Sequence, residues 1–127
     1  MYVLSLGSND GDREQHLINA LNYLAEVCDS IYSSTHYASP ALGGGKPHYL
    51  NSVAMVEYAG SAAELDALLK EMEKAEGRDE TARREGRVPL DIDIVMDGRQ
   101  ILRPKDYALY FFRRGYEELI SAGIAGL

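Results

Sequence analysis

Two helical segments separate strand-like segments along this chain, and this order limits the folds that it can adopt. The first helical segment, at about 12–28, carries leucines at helical spacing. The second, at about 62–76, begins at a capping box formed by Ser61 and Glu64 and carries its apolar residues on one face. The β-prone segments around them lie at 2–6, 30–38, 49–58 and 89–96.

The order strand, helix, strand, strand, helix, strand is that of the ferredoxin-like fold. This α+β fold (β-α-β-β-α-β) packs both helices on one face of an antiparallel sheet. The dipeptide Asp97-Gly98 predicts a hairpin turn to a short strand at 99–102. The tail from Lys105 predicts a loop and then a helix at about 115–122, a short C-terminal appendage. Because the chain has the length of one domain, we expect a single domain over residues 1–127.

Charge and composition argue against several classes of protein. The net charge is −7, whereas nucleic-acid binders usually present a basic surface, so we expect no nucleic-acid partner. No apolar run approaches the length of about 18 residues that a membrane span needs. Cys28 is the single cysteine, which excludes a disulfide framework. With no signal-peptide pattern at the N-terminus, we expect a cytoplasmic protein without a membrane partner, and its protein partners are unknown from the sequence.

The segment Leu90-Asp91-Ile92-Asp93-Ile94 alternates apolar and acidic residues. On a strand, Asp91 and Asp93 point to the same face, with Cα atoms about 6.5–7 Å apart. Two carboxylates at this spacing repel each other unless a cation lies between them, and Mg²⁺ favours carboxylates together with substrate phosphates. A strand with one solvated polar face is the alternative interpretation.

Two loops flank this aspartate pair in the predicted fold. Four arginines fall in the loop at 77–88, namely Arg78, Arg83, Arg84 and Arg87, and arginine binds phosphate oxygens bidentately. The loop at 39–47 contains two prolines and three consecutive glycines, which exclude a regular element. We expect both loops to be mobile and to close over a substrate. Cations, carboxylates and a lid together favour phosphoryl-type transfer, although interleaved acidic residues also fit a solvated arginine loop.

Four short motifs occur in an order and spacing typical of one enzyme family. They are Leu6-Gly7-Ser8-Asn9, Ser39-Pro40-Ala41-Leu42-Gly43 with Tyr49-Leu50-Asn51, Glu73 with Gly77-Arg78, and Leu90-Asp91-Ile92-Asp93-Ile94. On these motifs, over roughly residues 2–102, the chain resembles the 6-hydroxymethyl-7,8-dihydropterin pyrophosphokinases of folate biosynthesis. Members of that family have the ferredoxin-like fold. They transfer the β,γ-pyrophosphate of ATP as one unit to the pterin hydroxymethyl group, leaving AMP.

The resemblance also implies a role for individual residues. Two Mg²⁺ ions would be held by Asp91 and Asp93. ATP would be bound by Glu73, Arg78, Arg84 and Arg114. The pterin would be bound by Ser39, Pro40, Leu42, Tyr49, Asn51 and Tyr116. Arg78, Arg84 and Arg87 would be the catalytic cations, with Arg87 acting from one position before the family's arginine.

Several positions depart from the family pattern. Glu85 stands where the family usually has tryptophan, Val88 where it usually has arginine, and no Pro-His pair precedes the last segment. The leading hypothesis is therefore a minimal pyrophosphokinase. The alternatives are a degenerate paralogue that binds a pterin or nucleotide without efficient catalysis, and a non-catalytic ferredoxin-like interaction domain. Asn9 is interpreted as a turn residue, and the aromatic cluster at 107–112 as the core of the appendage.

Overall fold

The computed structural model describes residues 1–40 and 48–124. The strands are β1 (Tyr2–Ser8), β2 (Ser30–Ser33), β3 (Tyr37–Ser39), β4 (Tyr49–Glu57), β5 (Asp91–Asp97) and β6 (Gln100–Ile101). The helices are α1 (Arg13–Val27), α2 (Ala62–Ala75), α3 (Glu80–Arg84), α4 (Pro104–Tyr107) and α5 (Tyr110–Ser121). Over these two described ranges, no helix is long and apolar enough to cross a bilayer.

The strands form one open antiparallel sheet. β1 lies between β4 and β5, β2 and β3 both pair with β4, and β6 pairs with the end of β5. This order confirms the predicted ferredoxin-like fold. It places the ends of β1, β4 and β5 side by side, because Gly7 is opposite both Asn51 and Asp91.

The predicted strand at 30–38 is two short strands, and a bulge separates them. Ser33 pairs with Ala54 and Tyr37 with Asn51, so three residues, 34–36, stand opposite two, 52 and 53. At the bulge the Ser34 hydroxyl accepts a hydrogen bond from the Val53 amide at 2.9 Å. The side chain thus takes the place of a backbone acceptor and keeps the β4 ladder satisfied.

Each face of the sheet packs against a different helical layer. α1 and α2 contribute Leu17, Leu24, Leu65 and Leu69 to a core against Leu4, Leu6, Ile92 and Ile94. On the other face, Phe112 and Leu119 of α5 pack against Val3, Val53, Met55 and Val95. The predicted appendage is therefore a second layer of the fold, and it covers only part of its face.

Two expectations about the later part of the chain were wrong. The loop at 77–88 contains α3, whose N-cap Asp79 accepts a hydrogen bond from the Ala82 amide at 2.8 Å. This capping side chain stabilises a helical turn among charged residues. In addition, α5 begins at Tyr110 and not near residue 115, because the aromatic residues that looked like a separate cluster form its first turns.

Gly115 allows α5 to lie directly on the sheet. A Cβ atom at this position would lie 2.6 Å from the Tyr37 hydroxyl oxygen and 2.7 Å from Cγ2 of Val53. The Gly115 amide donates to that hydroxyl at 3.0 Å, and the hydroxyl in turn donates to the carbonyl of Phe111. Burial raises the pKa of Tyr37 to about 12, so the phenol stays protonated and keeps its role as a donor.

The first prediction concerns this close approach. Gly115→Ala should lower the free energy of unfolding by about 1–3 kcal/mol, because overpacking outweighs the better helix propensity of alanine. Urea denaturation measures the change. Ser121→Ala, an exposed position at the end of α5, is the matched control and should be neutral. A Gly115→Ala protein as stable as the Ser121→Ala protein would contradict close packing at this position.

Candidate active site

A cavity of about 320 Å³ opens on the face of the sheet that α5 leaves partly uncovered. Alternate residues of the three central strands form its floor, because successive side chains of a strand point to opposite faces. These floor residues are Ser5, Gly7, Tyr49, Asn51, Asp91 and Asp93. The walls are formed by Asn9, Ser39, Pro40, Gly86, Asp106, Leu109, Phe111 and Phe112.

Asp91 and Asp93 lie at one end of this floor, as predicted, while Ile92 between them is buried in the core. Asp91 Oδ1 is 2.9 Å from Nη1 of Arg78, and Asp93 Oδ1 is 3.4 Å from Nζ of Lys70. Burial raises the pKa of Asp93 above its ordinary value, and the negative charge of Asp91 raises it further. The positive charge of Lys70 opposes this shift. The end of the cavity therefore concentrates negative charge that a bound cation would offset.

Glu73 supports this pair from the helical layer. Its carboxylate is buried and accepts a hydrogen bond from the Ile92 amide at 3.0 Å. It also lies 2.9 Å from Nη1 of Arg78 and 3.5 Å from Nζ of Lys70. Glu73 is not among the residues that line the cavity. The structure thus places it behind the aspartates, whereas the sequence predicts a position beside the nucleotide.

The other end of the floor carries the residues that the resemblance assigns to the pterin. Asn51 is buried, and its Nδ2 donates to Ser39 Oγ at 2.7 Å and to the carbonyl of Tyr37 at 3.3 Å. Among the described residues, no hydrogen bond reaches its Oδ1. Tyr49 and Pro40 also line the cavity. The predicted contact Leu42, together with the three glycines of its loop, lies outside the described residues.

The predicted arginines are not gathered at the cavity. Arg87 is bonded to Asp10 at 3.1 Å and to Glu85 at 2.7 Å. Arg84 lies exposed at the end of α3, with no ion pair to any residue in the described ranges. The guanidinium of Arg114 lies 4.5 Å from the centre of the Tyr37 ring. Arg78 is the predicted arginine that contacts a floor residue.

Aromatic residues reach the cavity from a different position than predicted. Tyr116 stacks on Phe112 with ring centres 5.7 Å apart, and it does not line the cavity. Phe111 and Phe112 line it instead. The sequence assigned these two rings to a core, and Phe112 does belong to the core beneath α5. Tyr116 follows Phe112 by four residues and therefore lies one helical turn farther along α5.

Asn9 is a cavity residue that the sequence treats only as a turn. It is buried, and its Oδ1 accepts a hydrogen bond from the Val88 amide at 2.6 Å. Its Nδ2 donates to the Gly86 carbonyl at 3.4 Å, and its own amide donates to the Val88 carbonyl at 2.9 Å. Asn9 therefore fastens the end of the arginine loop to the end of β1. Its place in the Leu-Gly-Ser-Asn motif is the signal that points to this role.

The chemistry of the donors indicates which metal the site suits. Over the described ranges, no group of three or more His, Cys, Asp and Glu side chains has the geometry to hold a metal ion. His16 is paired with Glu76 and His36 with Glu14, each at 2.8 Å. Asp91 and Asp93 offer carboxylate oxygens alone, and Mg²⁺ completes such a set with waters and substrate phosphates. These donors fit magnesium bound together with a nucleotide.

The chain is similar to known proteins of one enzyme family. The family model described as 7,8-dihydro-6-hydroxymethylpterin-pyrophosphokinase matches residues 3–115. The chain is similar to a folate synthesis bifunctional protein of Arabidopsis thaliana, with 32% identity over 76% of this chain and 20% of the relative. The mitochondrial folate synthesis bifunctional protein of Pisum sativum is 34% identical over 76% of this chain and 19% of its own length.

A bacterial relative is also similar. The 2-amino-4-hydroxy-6-hydroxymethyldihydropteridine pyrophosphokinase of Aquifex aeolicus is 34% identical over 80% of this chain and 64% of its own length. The chain thus spans about a fifth of the plant relatives and under two thirds of the bacterial one. Because the family model covers most of the sequence, from β1 into α5, this chain belongs to the 7,8-dihydro-6-hydroxymethylpterin-pyrophosphokinase family.

Proposed function

We propose that this chain transfers pyrophosphate from ATP to the hydroxymethyl group of 6-hydroxymethyl-7,8-dihydropterin, as a step of folate biosynthesis. One observation carries the proposal. The Asp91 and Asp93 carboxylates and the Asn51 amide open into the same cavity, with only β1 between their strands. A nucleotide phosphate at one end and a pterin at the other would therefore lie within reach of each other.

In this proposal the hydroxymethyl oxygen attacks the β-phosphorus of ATP. A new bond forms between that oxygen and the β-phosphorus, the bond from the β-phosphorus to the α-bridging oxygen breaks, and AMP leaves. The hydroxyl proton passes to solvent. Asp91 and Asp93 would hold two Mg²⁺ ions, which would neutralise the triphosphate when bound. The chain itself orients the two substrates, and holding reactants in line supplies much of the rate in this kind of transfer.

Asn51 is the residue that we propose to recognise the pterin edge. Its Nδ2 is already committed to Ser39 Oγ and to the Tyr37 carbonyl, which fixes the orientation of the amide. Its Oδ1 would then accept a hydrogen bond from the ring. The apolar side of the ring would rest against Phe111 and Phe112, in place of the predicted Tyr116.

Three arginines remain the proposed cations for the triphosphate. Arg78 is the best placed, because it already contacts Asp91 at 2.9 Å. Arg84 is free to approach from α3, since none of the described residues forms an ion pair with it. Arg87 would need to exchange Asp10 and Glu85 for phosphate oxygens. We keep Glu73 as a support for the metal pair and Arg114 as a nucleotide contact.

The expectations of a single domain, a cytoplasmic location and no nucleic-acid partner stay predictions. ATP and the pterin are the small-molecule partners that we propose.

The second prediction tests the metal pair. Asp93→Asn should abolish Mg²⁺-dependent binding of ATP and release of AMP. It should also raise the melting temperature in metal-free buffer, because it removes one of two close, partly buried like charges. Asp97→Asn, on the exposed end of the same strand, is the matched control and should change neither property. Isothermal titration with Mg-ATP and thermal denaturation give the two readouts. Unchanged Mg-ATP affinity with a lowered melting temperature would make the pair structural.

The third prediction tests the pterin end. Asn51→Ala should weaken the binding of a hydroxymethylpterin by about 1–3 kcal/mol, because a buried hydrogen-bonding group of the ligand loses its partner. Affinity for Mg-ATP should not change. Ser52→Ala is the control, since Ser52 is equally buried but faces the opposite side of β4. A pterin affinity that falls equally in both variants would indicate a general loss of packing.

The contacts of Arg87 favour one alternative, the degenerate paralogue. Its guanidinium is satisfied by Asp10 and Glu85, so the loop holds its own cation away from the cavity. The family's arginine position is occupied by Val88, whose backbone is fastened to Asn9.

The fourth prediction separates the enzyme from this alternative. If Arg87 serves the phosphates, Arg87→Ala should weaken Mg-ATP binding and slow AMP release, because a charge-assisted hydrogen bond to the phosphates is lost. Val88→Arg should then add little. AMP release in the presence of hydroxymethylpterin is the measurement, with Arg83→Ala as the control for loss of one exposed charge. A silent Arg87→Ala together with an activating Val88→Arg would favour a decayed enzyme.

A further inference from the structure

Lys70 is a cation that contacts the aspartate pair and that neither the motifs nor the resemblance assigns a role. It lies on α2, one turn before Glu73, on the side of the helix that faces β5. Its Nζ is 3.4 Å from Asp93 Oδ1 and 3.5 Å from Glu73 Oε2. The side chain is 43% exposed, so the ammonium group borders both the site and the solvent.

The charges around the two aspartates nearly balance without a metal. The carboxylates of the cluster are Asp91, Asp93, Glu73 and Asp106, and its cations are Lys70, Arg78 and Arg103, so it carries one net negative charge. A free divalent cation would therefore leave the cluster with one net positive charge. A metal that arrives with a triphosphate brings its own negative charge and avoids this cost.

We propose that Lys70 is an internal counter-ion of the metal site. In the nucleotide-free protein its ammonium group pairs with Asp93 and thereby disfavours the binding of a free divalent cation there. Metal would then enter together with the phosphates of the nucleotide. This inference rests on the function proposed above, and it makes Lys70 a positioning residue that acts through Asp93.

The contacts distinguish Lys70 from its neighbour Arg78. Arg78 is held by Glu73 and Asp91 at 2.9 Å each and also donates to the Leu90 carbonyl at 3.4 Å. Its planar guanidinium is thus bound in three places. The contacts of Lys70 are longer, and its flexible stem carries a strongly hydrated charge. Lys70 is the cation that can leave Asp93 for solvent or for a phosphate oxygen when metal and nucleotide arrive.

The test measures binding of Mn²⁺ alone, by electron paramagnetic resonance, to the full chain without nucleotide. Lys70→Gln should tighten Mn²⁺ binding about fivefold, the factor that corresponds to a partly exposed ion pair. Lys70→Arg keeps the charge and should bind Mn²⁺ like the wild type. Lys74→Gln is the matched control, because Lys74 lies one turn farther along α2 and, within residues 1–40 and 48–124, pairs with exposed Glu71 alone.

A second measurement ties the effect to Asp93. In an Asp93→Asn background, Lys70→Gln should no longer change the affinity for Mn²⁺. An affinity for Mn²⁺ that is unchanged or weaker in Lys70→Gln would overturn the inference, as would an equal gain in Lys74→Gln. A Lys70→Gln protein that does not fold would also overturn it, since Lys70 would then be a structural residue. None of these outcomes depends on pyrophosphate transfer, which the Asp93→Asn and AMP-release assays test separately.

Discussion

The site depends on the hydrogen bond and the ion pairs that the buried carboxylate of Glu73 forms. A buried charge is costly unless it is fully paired, and Glu73 is paired with the Ile92 amide, Arg78 and Lys70. Among the described strands, β6 pairs with β5 at Met96 and Asp97 alone, which leaves that edge of β5 at Ile92 without a neighbouring strand, and Glu73 supplies a partner there. The contact fastens α2 to β5 between the two aspartates, on the core side of the strand from which Asp91 and Asp93 point away.

The two faces of the sheet have different roles. The face under α1 and α2 is a closed apolar core, built from alternate residues of β1 and β5 such as Leu4 and Ile92. The opposite face is covered by α5 at one end only, and the uncovered end is the cavity. Alternation along a strand therefore produces core and site from the same seven residues of β5. The residues that stabilise the fold and the residues that line the candidate site therefore lie on opposite faces of the same strands.

Much of this arrangement could be predicted from the sequence, because its signals are local. The leucine spacing of α1, the capping box of α2 and the alternation around Asp91 each depend on residues close in the chain. The parts that were missed depend on contacts between distant segments. From the sequence alone Asn9 resembles a turn residue and Lys70 a solvated helix position. Their roles depend on Val88 and on β5, which only the fold brings next to them. Likewise, Tyr116 and Phe111 can be told apart only once the start of α5 is known.

The short strand β3 connects two walls of the cavity. Ser39, at one end of β3, holds the Asn51 amide, while Tyr37, two residues earlier, holds the Phe111 carbonyl and the Gly115 amide of α5. Asn51 and the helix that carries the aromatic wall are therefore joined through the two ends of one three-residue strand. At the bulge before it, residues 34–36, the edge of the sheet is held by the Ser34 hydroxyl and not by a regular ladder. The polar and the aromatic walls of the cavity thus share one short element, so a substitution that displaces β3 would disturb both walls together.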